Sequence, residues 1–508
     1  MPAGTTLNGS YGQPYFDSDG STATAPAGVS AYAAPNGAIS AGNDATITVE
    51  GKVSEDSQGY LNRGMWAATT GSGVNTGNNM YANAVDFGSG TTVVVSPTGQ
   101  ILTNGAPGAE AINPAGDNNT INNSGLIWVG NWDGQNTGSV AIWLQDDSES
   151  GYADNGPNYI NNEATGIIGT TNGANGTAIG TEGMGTLDMV NKGTVDGGIS
   201  LASGDDVLDL YTGSTITGKV DGAGGTNTLV LDGTGSETLE QGVAQITNFT
   251  MLDKEDSGTW TVDNALAAVD DSGNVLPLTV DVKGGTLALT DNNADFDGTM
   301  TIEKGGTLQL GDGGTTGSLS TAINNSGTVA FDHSNDITYT LPLSGSGAVA
   351  QIGTGQTSLS DNNTYTGGTT ITGGALQGSV TAFGTGCITD NASLIVAQDT
   401  DGTLANTVSG TGTLTKQGTG IVTLLTNDTY TGATTIENGT LQLGNGGITG
   451  SIMNTAAIHD NANLTVDHSD AVTLSLPIDG TGGRRLYQTL ATPGRPFTPW
   501  RLQGPFHP

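Results

Sequence analysis

The chain has few aromatic residues and few cations. Its 508 residues include 8 Phe, 6 Trp and 12 Tyr, and 12 Lys and Arg stand against 49 Asp and Glu. The resulting formal charge of −37 repels phosphate backbones and anionic lipid, which argues against nucleic acid as a partner and against binding to a membrane surface. So few large apolar residues place the composition near the disordered class, and hydrophobic periodicity has to decide whether the chain folds.

Cysteine and long apolar runs are scarce as well. A single cysteine, Cys387, excludes an intramolecular disulfide bond, and we expect it to be a buried apolar filler between Gly386 and Ile388. The sequence contains no run of 18 apolar residues, which excludes a membrane-spanning helix. The first residues lack a basic start and an apolar run, so we expect no signal peptide in this chain.

Glycine is abundant, with 83 residues, and together with Asn it separates short runs of Val, Ile, Thr and Leu. Such runs are typical of strands, and the best helix candidate is only the stretch 263–269. One recurring unit consists of an apolar residue, Asn, a few polar residues, Gly and an apolar pair. Since Asn and Gly tolerate positive φ, each copy predicts a strand, a tight corner and another strand. The copies are residues 121–127, 160–168, 190–195 and 323–329.

A longer motif occurs three times, at residues 291–309, 361–377 and 426–442. Each copy has an aromatic residue, a Gly two positions later and an Ile six positions later. Unequal spacing of a shared motif indicates stacked copies with loop insertions. We expect the aromatic residue and the Ile to face the core, as with Tyr365 and Ile371 in the second copy.

These patterns predict an all-β chain that coils as a right-handed parallel β-helix, a solenoid in which each strand pairs with its equivalent one turn away. The predicted organisation begins with a flexible, disordered lead-in at 1–44, followed by an irregular β-helix at 45–283. A β-helix with three repeats follows at 284–482. Residues 483–508 form an unrelated Pro- and Arg-rich tail, disordered and consistent with a reading-frame change.

The three copies resemble the passenger-associated transport repeats of bacterial autotransporters. The resemblance rests on TYTGGTTITGGALQ at 364–377, TYTGATTIENGTLQLGNGG at 429–447, and SGTGTLTKQGTG at 409–420. It implies a β-helical passenger domain that is secreted or displayed at the cell surface of a Gram-negative bacterium. The implied export partner is an outer-membrane translocation barrel, which we expect to be absent from this chain.

The resemblance also favours a non-enzymatic function in virulence, as an adhesin, in self-association or as a stalk. The implied partners are glycans or proteins of host or bacterial surfaces, or a second copy of the chain. One alternative is a β-helical polysaccharide lyase or hydrolase, which would use acid pairs such as 146–147 or 270–271. A groove that brings Lys192, Lys219 or Lys254 together with Asp residues would favour this alternative.

A second alternative is a calcium-dependent secreted repeat protein. The stretch 203–210 partly resembles a calcium-binding nonapeptide, but such sites need tandem copies and one is present. We therefore expect neither a metal nor another cofactor. The pairs Asp332-His333 and Asp467-His468 have the residue types of acid–base catalysis, yet they are equivalent positions of a duplication, so we expect solvent-facing turns.

Three tryptophans, Trp128, Trp132 and Trp143, lie within sixteen residues of each other. If they are exposed together, they form a sugar-stacking or partner-binding patch. If they are buried, they belong to the core or to a cap. They are the candidate site residues of this sequence, which contains no catalytic constellation.

Overall fold

We describe the fold from a computed structural model. The described residues are 5–6, 15–16, 22–25, 30–33, 39–41, 44–55, 84–103, 110–114, 116–130, 139–144, 156–183, 185–239, 246–472 and 474–488. The chain divides into a first unit, 1–260 with 267–279, and a second unit, 261–266 with 280–508. Within the described ranges, none of the helical segments has the length and apolarity needed to cross a membrane.

The described residues of the first part of the chain form short strands and a 3₁₀ turn at Gly173–Asn175. The strands are β1 Thr5–Thr6, β2 Tyr15–Phe16, β3 Thr22–Ala25, β4 Ser30–Ala33, β5 Ile39–Ala41, β6 Thr46–Val49, β7 Lys52–Glu55, β8 Val85–Phe87, β9 Thr92–Val95, β10 Gln100–Thr103, β11 Glu110–Pro114, β12 Thr120–Asn123, β13 Leu126–Val129, β14 Val140–Leu144, β15 Asn158–Asn162, β16 Ile167–Thr170, β17 Thr177–Thr181, β18 Leu187–Asn191, β19 Thr194–Asp196, β20 Gly198–Ser200, β21 Val207–Tyr211, β22 Thr215–Ile216, β23 Val220–Asp221, β24 Asn227–Asp232, β25 Ser236–Thr238, β26 Ile246–Thr247, β27 Phe249–Lys254, β28 Thr259–Val262, β29 Ala268–Val269 and β30 Val275–Leu276.

Successive strands of the first unit visit three sheets in a fixed rotation. Sheet S1 contains β1, β3, β6, β9, β12, β15, β18, β21, β24 and β27. Sheet S2 contains β4, β7, β10, β13, β16, β19 and β22, and sheet S3 contains β2, β5, β8, β11, β14, β17, β20, β23 and β26. The pairs in these sheets are parallel, for example β12 with β15 and β10 with β13. This rotation is the coil of a parallel β-helix, as the sequence predicts.

The core of the first unit is built from columns of β-branched and other aliphatic side chains, one from each turn. Strand residues alternate between the two faces of a sheet, so the inward position of each strand stacks on the same position one turn away. In S1 the column is Ile47, Val93, Ile121, Ile160, Met189, Leu208, Leu229 and Leu252. In S2 it is Val53, Ile101, Ile127, Ile168, Val195 and Ile216. All of these side chains are buried.

The recurring Asn and Gly unit forms the corner between S1 and S2, and its prediction of two strands around a tight corner is confirmed. The Nδ2 of Asn123 donates to the Oδ1 of Asn162 at 2.9 Å, and the Nδ2 of Asn162 donates to the Oδ1 of Asn191 at 2.8 Å. The physical reason for the glycine differs from the predicted one. Gly166 has no positive φ, but a Cβ there would collide with the carbonyl of Asn123, so the corner needs close approach of two backbones.

The second part of the chain continues with strands of two to eight residues. They are β31 Leu278–Val282, β32 Gly285–Leu289, β33 Asn292–Asn293, β34 Gly298–Ile302, β35 Gly306–Leu310, β36 Ser318–Leu319, β37 Ile323–Asn325, β38 Thr328–Phe331, β39 Ile337–Tyr339, β40 Ala348–Gln351, β41 Gln356–Leu359, β42 Thr369–Ile371, β43 Ala375–Gly378, β44 Ile388–Asp390, β45 Ser393–Ala397, β46 Gly402–Leu404, β47 Val408–Ser409, β48 Thr413–Gln417, β49 Ile421–Leu424, β50 Thr434–Ile436, β51 Thr440–Gly447, β52 Ile458–Asp460, β53 Asn463–His468, β54 Ile478–Asp479 and β55 Gly483–Gln488.

The strands of each copy of the long motif pair in parallel with strands one turn before the copy. In the second copy, β42 pairs with β40 and β43 pairs with β41. In the third copy, β50 pairs with β48 and β51 pairs with β49. In the first copy, β35 pairs with β32. Each copy therefore stacks on the turn that precedes it in the chain.

A buried hydrogen bond explains the aromatic position in the second and third copies. Tyr365 and Tyr430 are buried, and each Oη lies 2.7 Å from a threonine Oγ1, of Thr369 and Thr434 respectively. Ile371 is buried as well, so the predicted core positions of the second copy are confirmed. The first copy has Phe296 instead of tyrosine, and this ring is half-buried.

Two predicted segments lie largely outside the described residues. The lead-in at 1–44 contains the described strands β1 to β5, and most of its other residues are not described. In the tail at 483–508 only β55 is described, and it pairs in parallel with β53. The boundaries of the four predicted domains stay predictions.

Candidate functional site

Trp128 lies on the outer side of sheet S2. In β13 the residues Ile127 and Val129 are buried on either side of it, so the alternation of the strand directs the indole outward. Its Nε1 donates to the Oγ1 of Thr171 at 3.2 Å. One turn later in the same column is Gly169, and a Cβ on this glycine would lie 2.6 Å from the indole Cζ3. The indole therefore lies flat against glycine backbone.

Trp143 has the same arrangement on sheet S3. It is the one residue of β14 that is not buried, so its indole also points outward. It pairs with Gly180 of β17, where a Cβ would lie 2.5 Å from both Cε3 and Cζ3 of the indole. Both indoles are half-buried on the outer side of the coil, and outward aromatic side chains of this kind can stack on sugars and on partner surfaces.

The two indoles come from consecutive strands of one turn but from different sheets. The corner between them, 131–138, includes Trp132 and lies outside the described residues. The two glycines were not identified from the sequence. Gly169 and Gly180 occupy the outward positions one turn after each tryptophan, and this placement follows from the register of the coil.

The two Asp-His pairs are not solvent-facing turns, and that prediction is wrong for both histidines. His333 and His468 are buried, and each Nε2 lies against a carbonyl oxygen, 2.9 Å from Gly317 and 3.2 Å from Gly450. Burial lowers the pKa of His333. The physical reason for the error is that each imidazole fills the inside of a glycine-rich arch, which a sequence pattern of turn residues does not reveal.

Cys387 is exposed, so its prediction as a buried filler is also wrong. The next residue, Ile388, begins β44 with a buried side chain. Because successive side chains of an extended segment point to opposite sides, Cys387 points outward. Its carbonyl oxygen accepts the N–H of Thr369 at 2.9 Å, which holds the backbone in place.

The acid pair 270–271 has a structural role in the turn between β29 and β30. The Oδ1 of Asp270 accepts the N–H groups of Ser272 and Asn274, at 2.9 and 2.8 Å. Asp271 is 2.9 Å from the Nζ of Lys219, and this hydrogen bond lowers the pKa of Asp271. The pair 146–147 lies outside the described residues.

A cluster of acids lies near the C-terminal ends of strands β21, β24 and β27. Burial, followed by the charges of Asp232 and Glu255, raises the pKa of Asp209 to about 7. The charge of Lys192 has the opposite, smaller effect on the pKa of Asp209. The Nζ of Lys192 is 4.8 Å from the ring centroid of Tyr211.

The three lysines of the enzyme alternative do not converge on one site. Lys254 is buried, its Nζ donates to backbone carbonyls of residues 255 and 256, and burial lowers its pKa. Lys219 has Asp221 and Asp271 as its partners. Lys192 and Lys254 border the acid cluster, whereas Lys219 belongs to the turn at 270–271.

The stretch 203–210 links neighbouring turns through its carboxylates. The Oδ1 of Asp206 accepts the N–H of Leu187 at 2.7 Å, and the Oδ1 of Asp205 accepts the N–H of Thr226 at 2.6 Å. Burial raises the pKa of Asp206 to about 7. In the described parts of the chain, no group of three or more His, Cys, Asp or Glu side chains is placed to hold a metal ion.

The family model of the passenger-associated transport repeat matches three segments of the second unit, residues 284–310, 349–377 and 414–443. These segments contain paired strands described above, such as β40 with β42. In this chain the matched segments therefore form parallel strands of the coil.

A curated relative is similar to a longer part of the chain. The adhesin BmaC autotransporter of Brucella suis biovar 1 (strain 1330) is 34% identical over 156 residues. The match covers 30% of this chain and 4% of that protein. The chain thus spans a small fraction of the length of this relative.

Proposed function

We propose, from the premise that this chain is an autotransporter passenger domain with passenger-associated transport repeats, that it acts non-enzymatically as a surface-displayed or secreted adhesin. The relative named above is an adhesin, which supports an adhesive function here. Its export partner is an outer-membrane translocation barrel, and its place is the surface or exterior of a Gram-negative bacterium. A function in self-association or as a stalk uses the same architecture.

The observation that carries the adhesive function is the pair of indoles supported by glycine. Outward aromatic rings bind the apolar faces of sugars and apolar surfaces of proteins. Trp128 and Trp143 are the two described residues of the predicted patch, and its third predicted residue, Trp132, lies outside the described residues. Surface glycans or surface proteins of a host cell or of another bacterium are the proposed ligands.

The test is surface display of the chain behind a working export signal and barrel. We expect the displaying cells to attach to host cells or to each other, and the double variant Trp128→Ala/Trp143→Ala to reduce attachment at least about fivefold, since central aromatic contacts dominate binding. Tyr159→Ala is the matched control, because Tyr159 is an exposed aromatic residue of S1. Equal attachment by the double variant and the control would contradict the indole patch, and no attachment at all would contradict the adhesin.

The acid cluster around Asp209 favours one alternative, a polysaccharide hydrolase. A carboxyl group with its pKa raised to about 7 has the property of a general acid, and other carboxylates are adjacent. This alternative predicts that the purified chain releases new reducing ends from bacterial or host polysaccharides and that Asp209→Asn abolishes the release. We expect no release by either protein; release that depends on Asp209 would replace the adhesin with the enzyme.

A further inference from the structure

Sheet S2 ends at β22, while the other two sheets of the first unit continue. S1 proceeds to β24 and β27, and S3 proceeds to β26, but β25 does not join S2. The S2 column of core residues therefore stops at Ile216. This residue is 9% exposed, whereas Ile127 and Ile168 earlier in the column are 0% exposed. Among the described residues, no S2 strand follows β22, so Ile216 has no S2 neighbour on one side.

A cavity of about 150 Å³ occupies this position. Its inner wall is apolar and is formed by Leu210, Ile216, Leu239, Ile246 and the indole of Trp260. The Nε1 of Trp260 donates to the carbonyl of Asp232 at 2.8 Å, so the ring is held in a fixed orientation. The wall combines residues of S1, S2 and S3, so all three sheets of the first unit border the cavity.

The remaining lining residues are polar and half-buried or exposed, and their side is the mouth of the cavity. They are Ser214, Thr215, Glu237 and Thr238. The Oε2 of Glu237 accepts the N–H of Gly213 at 3.0 Å. This bond fixes one carboxyl oxygen and leaves the other carboxyl oxygen for a ligand.

We propose that this cavity is a binding site for a small amphipathic amine, consisting of an apolar group of about one aromatic ring and a cationic amine. A cavity of about 150 Å³ with apolar walls has the size that takes up a benzene ring. Glu237 at the mouth, on a chain with a net charge of −37, favours a cation over a neutral or anionic head group. The site is independent of the adhesive function, because it lies away from the two indoles of S2 and S3.

The experiment compares three probes of nearly equal shape with the purified 508-residue chain. Benzylamine, benzyl alcohol and benzoate differ in charge, and saturation-transfer NMR titrations give their relative affinities. We expect benzylamine to bind about threefold or more tighter than benzyl alcohol and benzoate to bind weakest, since one charge pair near a surface has about this effect. Equal binding of all three probes would overturn the assigned role of Glu237.

Two variants locate the site. Ile216→Trp fills the cavity and should abolish binding of benzylamine and benzyl alcohol alike, while Glu237→Gln should keep the alcohol and remove the preference for the amine. Glu182→Gln is the charge-matched control, because Glu182 is exposed and lies outside the cavity. Leu239→Trp serves as a second filling variant if Ile216→Trp melts earlier than the wild type. Undiminished binding in a folded filling variant would overturn the site.

Discussion

Pairs of hydroxyl groups inside the second and third copies show how single residues stabilise a turn of the coil. Tyr365 bonds to Thr369 and Tyr430 bonds to Thr434, each at 2.7 Å and out of contact with water. In the first copy both partners differ together, since Phe296 is followed by Met300 at the position of the threonine. A buried hydroxyl needs a partner, so the two positions have to be exchanged as a pair.

This pairing predicts a non-additive result. Thr369→Val should lower the free energy of unfolding by about 1–3 kcal/mol, because it leaves the buried Oη of Tyr365 without its partner. Tyr365→Phe should lower it by less, because the Oγ1 of Thr369 also donates to the carbonyl of Phe383 at 3.4 Å. The double variant should lose less than the sum of the two. Urea unfolding of the four proteins provides the cycle, and strict additivity would show that the two hydroxyls do not depend on each other.

A second residue-scale prediction concerns Asp428. Its Oδ1 accepts the N–H of Val408 at 2.9 Å, and Asn363 makes the same bond to Leu343 in the second copy. Burial raises the pKa of Asp428 from 3.8 to about 6, and its Oδ2 has no hydrogen-bond partner. The folded state therefore binds a proton more tightly than the unfolded state does, and stability falls as the pH rises from about 4 to about 6.

Asp428→Asn removes this titration. We expect the variant to be more stable than the wild type at pH 8, by an amount on the order of 3 kcal/mol at most, and the difference to vanish near pH 4. Thermal melts at pH 4, 6 and 8 measure it. A difference that is the same at all three pH values would mean that the Asp428 carboxyl group does not titrate as described.

At the scale of elements, the corners of the coil are stabilised by polar side chains that reach inward. Lys416 at the end of β48 is buried, and its Nζ donates to the carbonyls of Gln417, Gly418 and Asn438, at 2.6, 2.7 and 3.2 Å. In the second copy Gln351 has the equivalent position and donates to two carbonyls. The corner thus requires a hydrogen-bond donor for these carbonyls, and the positive charge of the lysine matters less than its N–H groups.

The corner predicts different costs for two substitutions of Lys416. Lys416→Gln should change the free energy of unfolding by about 1 kcal/mol or less, since the amide replaces the donor. Lys416→Met should cost about 2 kcal/mol or more, because buried carbonyls lose their partner. Chemical denaturation of both variants decides, and equal losses would indicate that the charge of the lysine matters.

Many of the strands were predictable from the sequence, because apolar residues alternate with polar ones and glycines bound each run. The alternation indicates a strand, and the glycines indicate its length. The tight S1–S2 corners follow from the Asn and Gly unit. The buried histidines and the outward Cys387 were not predictable. Whether such a side chain points inward or outward depends on how the backbone of its loop enters the next strand, which the local sequence does not show. The helix candidate at 263–269 failed as well: Ala268–Val269 pairs as a strand with Val275–Leu276.

For the candidate site, the sequence could identify the tryptophans but not the glycines that their indoles contact. Gly169 and Gly180 are 41 and 37 positions away from Trp128 and Trp143, and only the register of the coil shows that each pair is in contact. The cavity at Ile216 was equally hidden. It lies where S2 ends at β22 in the described part of the chain, and the local sequence contains no signal for this end.

At the scale of the whole molecule, the net charge of −37 makes stability dependent on salt. Like charges repel in the compact state, and salt shortens the range of this repulsion from about 30 Å at 0.01 M to about 8 Å at 0.15 M. We therefore expect the melting temperature to rise between 10 and 150 mM NaCl. A melting temperature that does not change with salt would show that repulsion between the acidic residues does not destabilise the folded state.

Calcium chloride at the same ionic strength is the control for this measurement. If screening is the whole effect, sodium and calcium should give similar melting temperatures. A clearly larger rise with calcium would instead favour the calcium-dependent alternative, because a bound ion stabilises the folded state by mass action.

The S1–S2 corner differs from the other two corners in how much length it permits. Two residues separate β12 from β13 at this corner, whereas residues 56–84 separate β7 from β8 and residues 145–157 separate β14 from β15. The S1–S2 corner has only two to four residues in the described turns, with two between β12 and β13 and four between β15 and β16, and its glycines touch neighbouring carbonyls. Two edges of the coil therefore accept long insertions, while the third edge accepts a change of no more than two residues in these turns.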